Sequence, residues 1–244
     1  MKQTPMIFNQ EMVKALIEGR KVATRRPVAE WQLPVETVND SVEFENLKYM
    51  SVASNHRRWG FGVFGSTPEE AMHNYNDEFK SCSPYKIGDL IWVRETFKVE
   101  ENTYHDLYGQ YCLVYRAGEG VNLVNPTIDN NDYLANSVLK KGFTPSIHMP
   151  KHASRLTLKV TNVRVEQIQN LSDDEAVKEG MPSVSEAQDM ALKSGMNWYQ
   201  KPSIWFKSLW DRLYGNWNEN PWVWVIEFEV IHKNINEVIK QEAA

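Results

Sequence analysis

Residues 19–27 read Gly-Arg-Lys-Val-Ala-Thr-Arg-Arg-Pro. The run contains four cations and no acidic residue: Arg20, Lys21, Arg25 and Arg26. Like charges this close repel one another, so the run fits either a solvated surface or a site that binds an anion such as phosphate. Thr24 lies within it, and a hydroxyl three residues from a lysine offers a nucleophile with a base or charge partner. This stretch therefore bears on both the fold and the chemistry of the chain.

Lys21 and Thr24 can act together only if the chain bends, because residues three apart on a straight strand face opposite sides. The preceding segment, Asn9 to Gly19, predicts a helix: Asn9 is a good N-cap, apolar side chains recur on one face, and Gly19 can adopt the left-handed conformation that ends a helix. We therefore expect a turn or bulge directly after Gly19.

Other segments have the patterns of short strands and helices, dispersed along the chain. Strands are predicted over 90–97, 111–116, 156–165 and 222–231, and helices over 172–180 and 203–214. Strand and helix do not alternate regularly, and neither GxGxxG nor GxxxxGK[ST] occurs. The pattern predicts an α+β or small-barrel core rather than a Rossmann sheet.

Two long regions lack the regular spacing of hydrophobic residues that is typical of helices and strands. Residues 30–83 contain scattered Gly, Pro, Asn and Trp, and residues 117–147 are rich in Asn, Asp and Gly. Both are interpreted as irregular insertions on a smaller core. Residues 233–244 are polar and predict a loose C-terminal tail.

Composition restricts the class of protein. The chain has 244 residues, 42% of them hydrophobic and 24% charged, as in soluble globular proteins. Its formal charge of -5 means that a nucleic-acid partner would have to meet a local basic patch. Cys82 and Cys112 form no CxxC motif, and no signal-peptide or membrane-span run occurs. We expect a cytoplasmic protein with no membrane partner.

A second basic stretch covers residues 133–165, again without Asp or Glu. Its cations are Lys140, Lys141, Lys151, Arg155, Lys159 and Arg164. Together with aromatic side chains such as Phe143, they could hold a base by stacking and its phosphate by charge. His148 and His152 lie in the stretch without an evident third ligand, so no metal site is predicted.

Two glutamates are candidates for acid–base chemistry. Glu95 follows a predicted strand, and Glu179 lies in the last turn of a helix that begins with the capping-box sequence Ser172-Asp173-Asp174-Glu175. A carboxylate in either place could transfer protons. Alternatively, Glu179 is an ordinary surface residue and Glu95 belongs to an ion pair on a strand.

Residues 19–27 resemble the GxKxxTxR signature of the ASCH domain, a superfamily of PUA-like β-barrels associated with RNA. Three later segments resemble ASCH elements in the expected order: the glycine-aspartate strand at 87–95, the helix at 171–181 and the closing strand at 224–228. The whole length, including 149–155, is similar to ASCH proteins of phages and prophages.

The resemblance implies a single α+β domain over residues 1–232, folded as a PUA-like small β-barrel with short flanking helices. The long insertions would lie at about 30–83, 117–147 and 182–202. Residues 233–244 would follow as a polar tail.

The resemblance also implies an activity. Some small bacterial ASCH proteins are amidohydrolases that remove the acetyl group from N4-acetylcytidine with a lysine, a threonine and a glutamate, which correspond here to Lys21, Thr24 and Glu179. Arg25 or Arg26 would stabilise the oxyanion or anchor the substrate. The full predicted substrate-binding set is Arg20, Arg25, Arg26, Glu95 and Arg155. The chemistry requires neither a metal nor another cofactor.

Two other functions stay open at this point. ASCH members are also interpreted as non-catalytic RNA- or nucleic-acid-binding modules, and some as nucleases. A phage structural or regulatory protein, whose insertions bind an unidentified protein, is a third possibility. The predicted partner is accordingly a modified cytidine nucleoside or RNA.

Overall fold

A computed structural model describes residues 1–37, 47–52, 62–74, 83–101, 111–118, 121–124, 142–182, 185–186, 188–189, 192 and 201–242. The chain forms two compact units, each assembled from separate stretches. Unit 1 comprises Met1–Lys21, Asp89–Lys159 and Glu229–Ala244. Unit 2 comprises Val22–Gly88 and Val160–Phe228.

Strands and helices follow one another irregularly, as the sequence predicts. The strands are β1 (Gln3–Ile7), β2 (Ala23–Pro27), β3 (Val35–Glu36), β4 (Tyr49–Val52), β5 (Gly62–Gly65), β6 (Leu90–Arg94), β7 (Phe97–Glu101), β8 (Tyr111–Tyr115), β9 (Val121–Val124), β10 (Thr157–Gln167) and β11 (Trp222–Ile231). The α-helices are α1 (Gln10–Ile17), α2 (Pro68–His73), α3 (Asp173–Lys178), α4 (Pro202–Leu213) and α5 (Ile235–Glu242).

In unit 1, β6 lies between β1 and the first residues of β10. It pairs parallel with β1 and antiparallel with β10, where Thr157 lies opposite Trp92. Residues 90–93 are buried on both faces, which explains why this strand is a continuous apolar run in the sequence. At its start, the buried Asp89 carboxylate accepts the Lys2 backbone N–H at 2.7 Å.

The antiparallel sheet β7-β8-β9 also belongs to unit 1. Alternate side chains of β7 and β8 point into a small core with Met149 and Ala153; they are Phe97, Val99, Leu113 and Tyr115. Their neighbours in sequence, including Lys98 and Arg116, are on the outer face because side chains alternate along a strand. Outside the strands, Thr144 forms a further antiparallel bridge to Phe97.

The predicted loose tail is wrong for residues 235–242, which form α5. Ile235 and Val238 are buried against Leu90 and Trp92. Asn234 fixes the start of the helix, because its side-chain amide donates to the carbonyl of Ser154 at 2.6 Å. The segment is short and mostly polar, and this composition led to the prediction of a tail. Its few apolar residues nevertheless pack into the core and hold the helix there.

In unit 2, β11 lies between β10 and β2. The sequence predicts strand 222–231 with its apolar and charged side chains on defined faces. The strand is confirmed, and residues 223–226 are all buried. Because successive side chains point to opposite faces, both faces of β11 are covered over this stretch.

Residues 30–83 contain more regular structure than the sequence predicts. Strands β3, β4 and β5 form an antiparallel sheet, and α2 follows with Thr67 as its N-cap. Gly65 allows α2 to approach closely, since a Cβ there would lie 2.3 Å from the Ala71 backbone nitrogen. Of the other predicted insertions, most of 117–147 and 182–202 lies outside the described residues.

The architecture is mixed α+β, which confirms the predicted class. Within the described ranges, the strands do not close into a barrel. No helix in the described part of the chain is long and apolar enough to cross a membrane.

Candidate functional site

The predicted turn after Gly19 is present in unit 1. Gly19 has φ +71°, and the backbone N–H groups of Arg20 and Lys21 both donate to the Ala15 carbonyl, at 2.9 and 3.0 Å. The chain therefore folds back on α1 before β2 begins at Ala23. Lys21 is fully buried, and its Nζ lies 6.0 Å from the centre of the Phe8 ring.

Strand β2 holds Thr24 and Arg25 in unit 2. Its antiparallel register with β11 places Thr24 opposite Ile226 and Arg25 opposite Val225. Both side chains are buried, at 2% and 4% exposure of the residue. Because successive side chains alternate, Thr24 and Arg25 leave the strand on opposite faces.

Helix α3 carries Glu179 at its C-cap, and its start is fixed by the predicted capping box. The Ser172 hydroxyl accepts the Glu175 backbone N–H, while the Glu175 carboxylate accepts the Ser172 N–H at 3.0 Å. Gly180 follows with φ +93°. Glu175 and Glu179 are four residues apart and therefore share one face of the helix.

Arg25 joins these two carboxylates in unit 2. Its Nη1 donates to Glu179 Oε1 at 3.2 Å, and its Nη2 lies 3.4 Å from Glu175 Oε2. Glu166 on β10 receives two further bonds, from Nη2 at 2.7 Å and from Nε at 3.2 Å. A guanidinium held on several sides fixes the position of the Glu179 carboxylate.

The sequence analysis missed most of this arrangement. Arg164 on β10 contacts Glu166 at 3.1 Å and Glu227 at 2.7 Å, and it also pairs with Glu175. Residues 164 and 166 occupy the same face of one strand, and this alternation was the available signal. We refer to Arg25, Arg164, Glu166, Glu175, Glu179 and Glu227 as the unit 2 arginine cluster.

Aromatic side chains from α4 cover one side of this cluster. The Phe206 ring centre lies 5.8 Å from the Arg25 guanidinium carbon. Trp210 and Trp217 lie against Phe206, with ring centres 6.1 and 6.3 Å away. Helix α4 is joined to α3 by a hydrogen bond from the Ser203 N–H, so the aromatic side chains and the carboxylates have a common framework.

Glu95 and Arg155 form a separate pair within unit 1. Two parallel bonds of 2.8 and 2.9 Å join the guanidinium to the carboxylate. Arg155 also donates to the Ala117 carbonyl at 2.7 Å and lies 4.2 Å from the centre of the Tyr115 ring. Burial raises the pKa of Glu95, although Arg155 partly offsets this effect.

The other predicted binding residues lie elsewhere. Arg20 forms an ion pair with Glu18 of unit 1, with its Nε 2.7 Å from the carboxylate. Arg26 is half-buried on β2 opposite Trp224 in unit 2. Burial raises the pKa of Tyr85, and the nearby positive charge of Arg26 opposes that shift.

Three alternatives left open by the sequence are now decided. A fully solvated charge run at residues 19–27 is wrong, because Lys21 and Arg25 are buried. A surface position for Glu179 is also wrong, since the residue is 2% exposed and bonded to Arg25. The ion pair proposed for Glu95 is present, with Arg155 as its partner.

The described cations of the second basic stretch contact groups within their own unit. Lys151 donates to Gln3, Lys159 pairs with Glu242 at 2.7 Å, and Arg155 and Arg164 have the partners given above. Lys140 and Lys141 lie outside the described residues. Among the residues that are described, no group of three or more His, Cys, Asp or Glu side chains could hold a metal ion.

Comparison of the chain with protein-family models, with curated proteins and with solved structures finds no match.

Proposed function

We propose that this chain is an ASCH-type amidohydrolase with a PUA-like core, which removes the acyl group from N4-acetylcytidine or a related modified nucleoside. Lys21, Thr24 and Glu179 are its catalytic residues, as the resemblance implies. The reaction breaks an amide C–N bond and needs no metal or other cofactor in this mechanism.

One observation carries the proposal: the three residues picked out by the motif are all buried. Lys21 is 0% exposed, and Thr24 and Glu179 are each 2% exposed. Lysine and glutamate are almost never fully buried unless a partner or a function holds them there. Burial of reactive polar groups is typical of active sites, where surrounding dipoles act in a medium of low dielectric constant.

Backbone contacts within unit 2 support this assignment. The Val22 N–H donates to the Lys178 carbonyl at 2.9 Å, and the Val22 carbonyl accepts the Phe228 N–H at 2.9 Å. Val22 directly follows Lys21 in the chain, and Lys178 directly precedes Glu179. The start of β2 and the end of α3 are thus hydrogen-bonded next to two of the three motif positions.

Arg25 is suited to positioning Glu179. Its guanidinium donates to Glu179 and Glu166, so its hydrogen-bonding groups are already engaged by carboxylates. In the proposed mechanism Arg25 therefore orients the carboxylate that transfers protons.

The proposed reaction has two steps. Lys21 removes the proton from the Thr24 hydroxyl, whose oxygen attacks the acetyl carbonyl, and Glu179 protonates N4 as the C–N bond breaks. Cytidine leaves, and the acetyl group remains as an ester on Thr24. Glu179 then removes a proton from a water molecule, whose oxygen attacks the ester. As the bond between the acyl carbon and the Thr24 oxygen breaks, Lys21 returns its proton to that oxygen, and acetic acid leaves.

The arrangement supports hydrolysis over nucleic-acid binding alone. A binding module of the kind considered above would use the basic stretches as a groove for phosphates. Most described cations of these stretches are instead paired with carboxylates: Arg20, Arg25, Arg155, Lys159 and Arg164.

The test is cytidine production from N4-acetylcytidine by variants that keep side-chain size, Thr24→Val and Glu179→Gln. Each should lower kcat by about 100-fold or more, since positioned acid–base and nucleophilic groups contribute on that scale. Lys207→Met, on the exposed face of α4, is the matched surface control and should retain the parent rate.

The covalent step can be tested separately by mass spectrometry. The parent, quenched with acid during turnover of excess substrate, should carry one acetyl group on Thr24, and Thr24→Val should carry none. Parent-like turnover by Thr24→Val would contradict the nucleophile assignment. A folded parent that acts on no N4-acylated cytidine would contradict the proposed function.

A further inference from the structure

An exposed aromatic side chain lies beside the outer face of the β7-β8-β9 sheet in unit 1. Phe143 is 42% exposed, although it directly precedes the buried Thr144. Thr144 and Phe97 exchange two backbone hydrogen bonds, of 2.6 and 3.2 Å, and these bonds fix the segment along β7. The Phe143 ring is thus held at a sheet whose opposite face forms a packed core.

Two cations lie near this ring, one on β7 and one directly after the end of β8. Lys98 Nζ lies 5.5 Å and the Arg116 guanidinium carbon 5.4 Å from the Phe143 ring centre. Lys98 also pairs with Glu100, whereas no carboxylate of the described residues lies within ion-pair distance of the exposed Arg116. The cluster therefore carries one positive charge that a described carboxylate does not balance.

This arrangement differs from that of Arg155 and Arg164. Arg155 and Arg164 donate to carboxylates within the protein, and the Arg155 guanidinium covers the buried Tyr115. Arg116 and Phe143 instead present their charge and ring to solvent. A cation beside an exposed aromatic side chain matches a nucleotide, whose base stacks on a ring or guanidinium and whose phosphate binds the cation.

We propose that Lys98, Arg116 and Phe143 form a binding surface for single-stranded nucleic acid. One base stacks on Phe143 or on the Arg116 plane, and the two cations contact the flanking phosphates. One consequence rests on the proposed function: the acylated cytidine would be presented to the enzyme within a strand. Binding of the strand itself does not require catalysis.

The experiment measures the affinity of the full chain for a fluorescent single-stranded oligonucleotide by anisotropy, at several salt concentrations. Phe143→Ala should weaken binding at least about fivefold with an unchanged salt dependence, since it removes stacking but no charge. Arg116→Ala should also make the slope of log affinity against log salt shallower by about 0.7. Phe143→Trp should retain binding, and Lys207→Ala is the charge-matched control.

The binding measurements either support or overturn the proposed surface. Loss of affinity in Phe143→Ala and Arg116→Ala, with Phe143→Trp and Lys207→Ala like the parent, supports it. It is overturned if the parent does not bind at low salt, or if the two alanine variants bind as tightly as the parent. Strand binding by a parent that hydrolyses no acylated cytidine would leave this surface supported and the proposed function contradicted.

Discussion

The two units each bury an arginine against glutamate, but with different charge balance. In unit 1, Arg155 and Glu95 form a one-to-one pair with two parallel hydrogen bonds. In the unit 2 arginine cluster, two guanidinium groups face four carboxylates. If all the groups are ionised, the unit 2 cluster has an excess of two negative charges.

This difference separates a structural role from a chemical one. The Arg155–Glu95 pair satisfies both partners, and its remaining contacts are to a backbone carbonyl and the Tyr115 ring. The unit 2 cluster holds several carboxylates around Arg25, one of which is the proposed proton carrier Glu179. We therefore interpret Arg155–Glu95 as part of the framework and the unit 2 cluster as the support of the proposed active site.

The largest effect is expected from Arg25→Met. The change leaves Glu166, Glu175 and Glu179 without their shared cation, and loss of one partner from a buried ion pair costs about 3–5 kcal/mol. Denaturant unfolding should show this decrease in the free energy of unfolding. Arg164→Met is the matched control and should cost less, because 26% of its side chain is exposed. An equal loss in both variants would contradict the central position of Arg25.

Arg155→Met should have the next largest effect, about 3 kcal/mol, at the lower end of the range for a broken buried pair. Only one carboxylate, Glu95, loses its partner here. Adding Glu95→Gln should recover part of the lost stability, because a neutral amide needs no counter-charge. If the double variant is no more stable than Arg155→Met, the buried charge of Glu95 is not the cause of the stability loss in Arg155→Met.

The two regions should respond to acid in opposite directions. Burial raises the pKa of Glu95 despite Arg155, so the folded state binds this proton more tightly than the unfolded state. Relative to Glu95→Gln, the parent should gain stability as the pH falls through the raised pKa toward the ordinary value of 4.5. Unfolding free energies measured across this window give the sign, and a loss of stability would contradict it.

Glu175 should show the reverse. Burial raises its pKa, but the Ser172 hydrogen bonds and the charges of Arg25 and Arg164 outweigh burial and lower the pKa overall. The stabilisation is present above 4.5 and is lost as the pH falls through the lowered pKa. Relative to Glu175→Gln, the parent should therefore lose stability below 4.5. A pH-independent difference would show that Glu175 is not coupled to the arginines.

The smallest effect is expected from Ser172→Ala, which removes half of the capping box of α3. Loss of an N-cap costs about 1 kcal/mol. Because α3 positions Glu179, the variant should lower kcat slightly as well as the free energy of unfolding. Ser208→Ala, at an exposed position in α4, is the matched control. Equal stability of the two variants would contradict the capping role.

Local features of the fold could be predicted because each is specified by a few adjacent residues. Asn9 caps α1 through a bond from the Met12 N–H at 2.8 Å, and the Ser172 capping box begins α3. The sheet in residues 30–83 could not be predicted, because its strands contain only two to four residues. Such strands are too short to show the alternation of apolar and polar residues that marks a strand. Helix α5 was missed because tertiary burial of Ile235 and Val238 outweighs its polar composition.

In the candidate site, too, some features are specified by local sequence and others only by the assembled fold. The resemblance of residues 19–27 to the ASCH signature implied Lys21 and Thr24 as candidates, and the resemblance of residues 171–181 to the ASCH helix added Glu179, which lies at the C-cap of α3. The alternation along β10 places Arg164 and Glu166 on one face, but it does not show that Arg25 is their neighbour, because that contact depends on the pairing of distant strands. Pairing across 141 residues of sequence, as between Arg25 and Glu166, is a property of the assembled fold.

The most direct test of the central claim is the rate of cytidine release from N4-acetylcytidine by the parent and by Lys21→Met, which removes the amine but keeps a long, unbranched side chain. We predict turnover by the parent and by the Lys207→Met control, and a loss of about 100-fold or more in Lys21→Met. Equal rates in the parent and Lys21→Met, or no release by the folded parent, would contradict it.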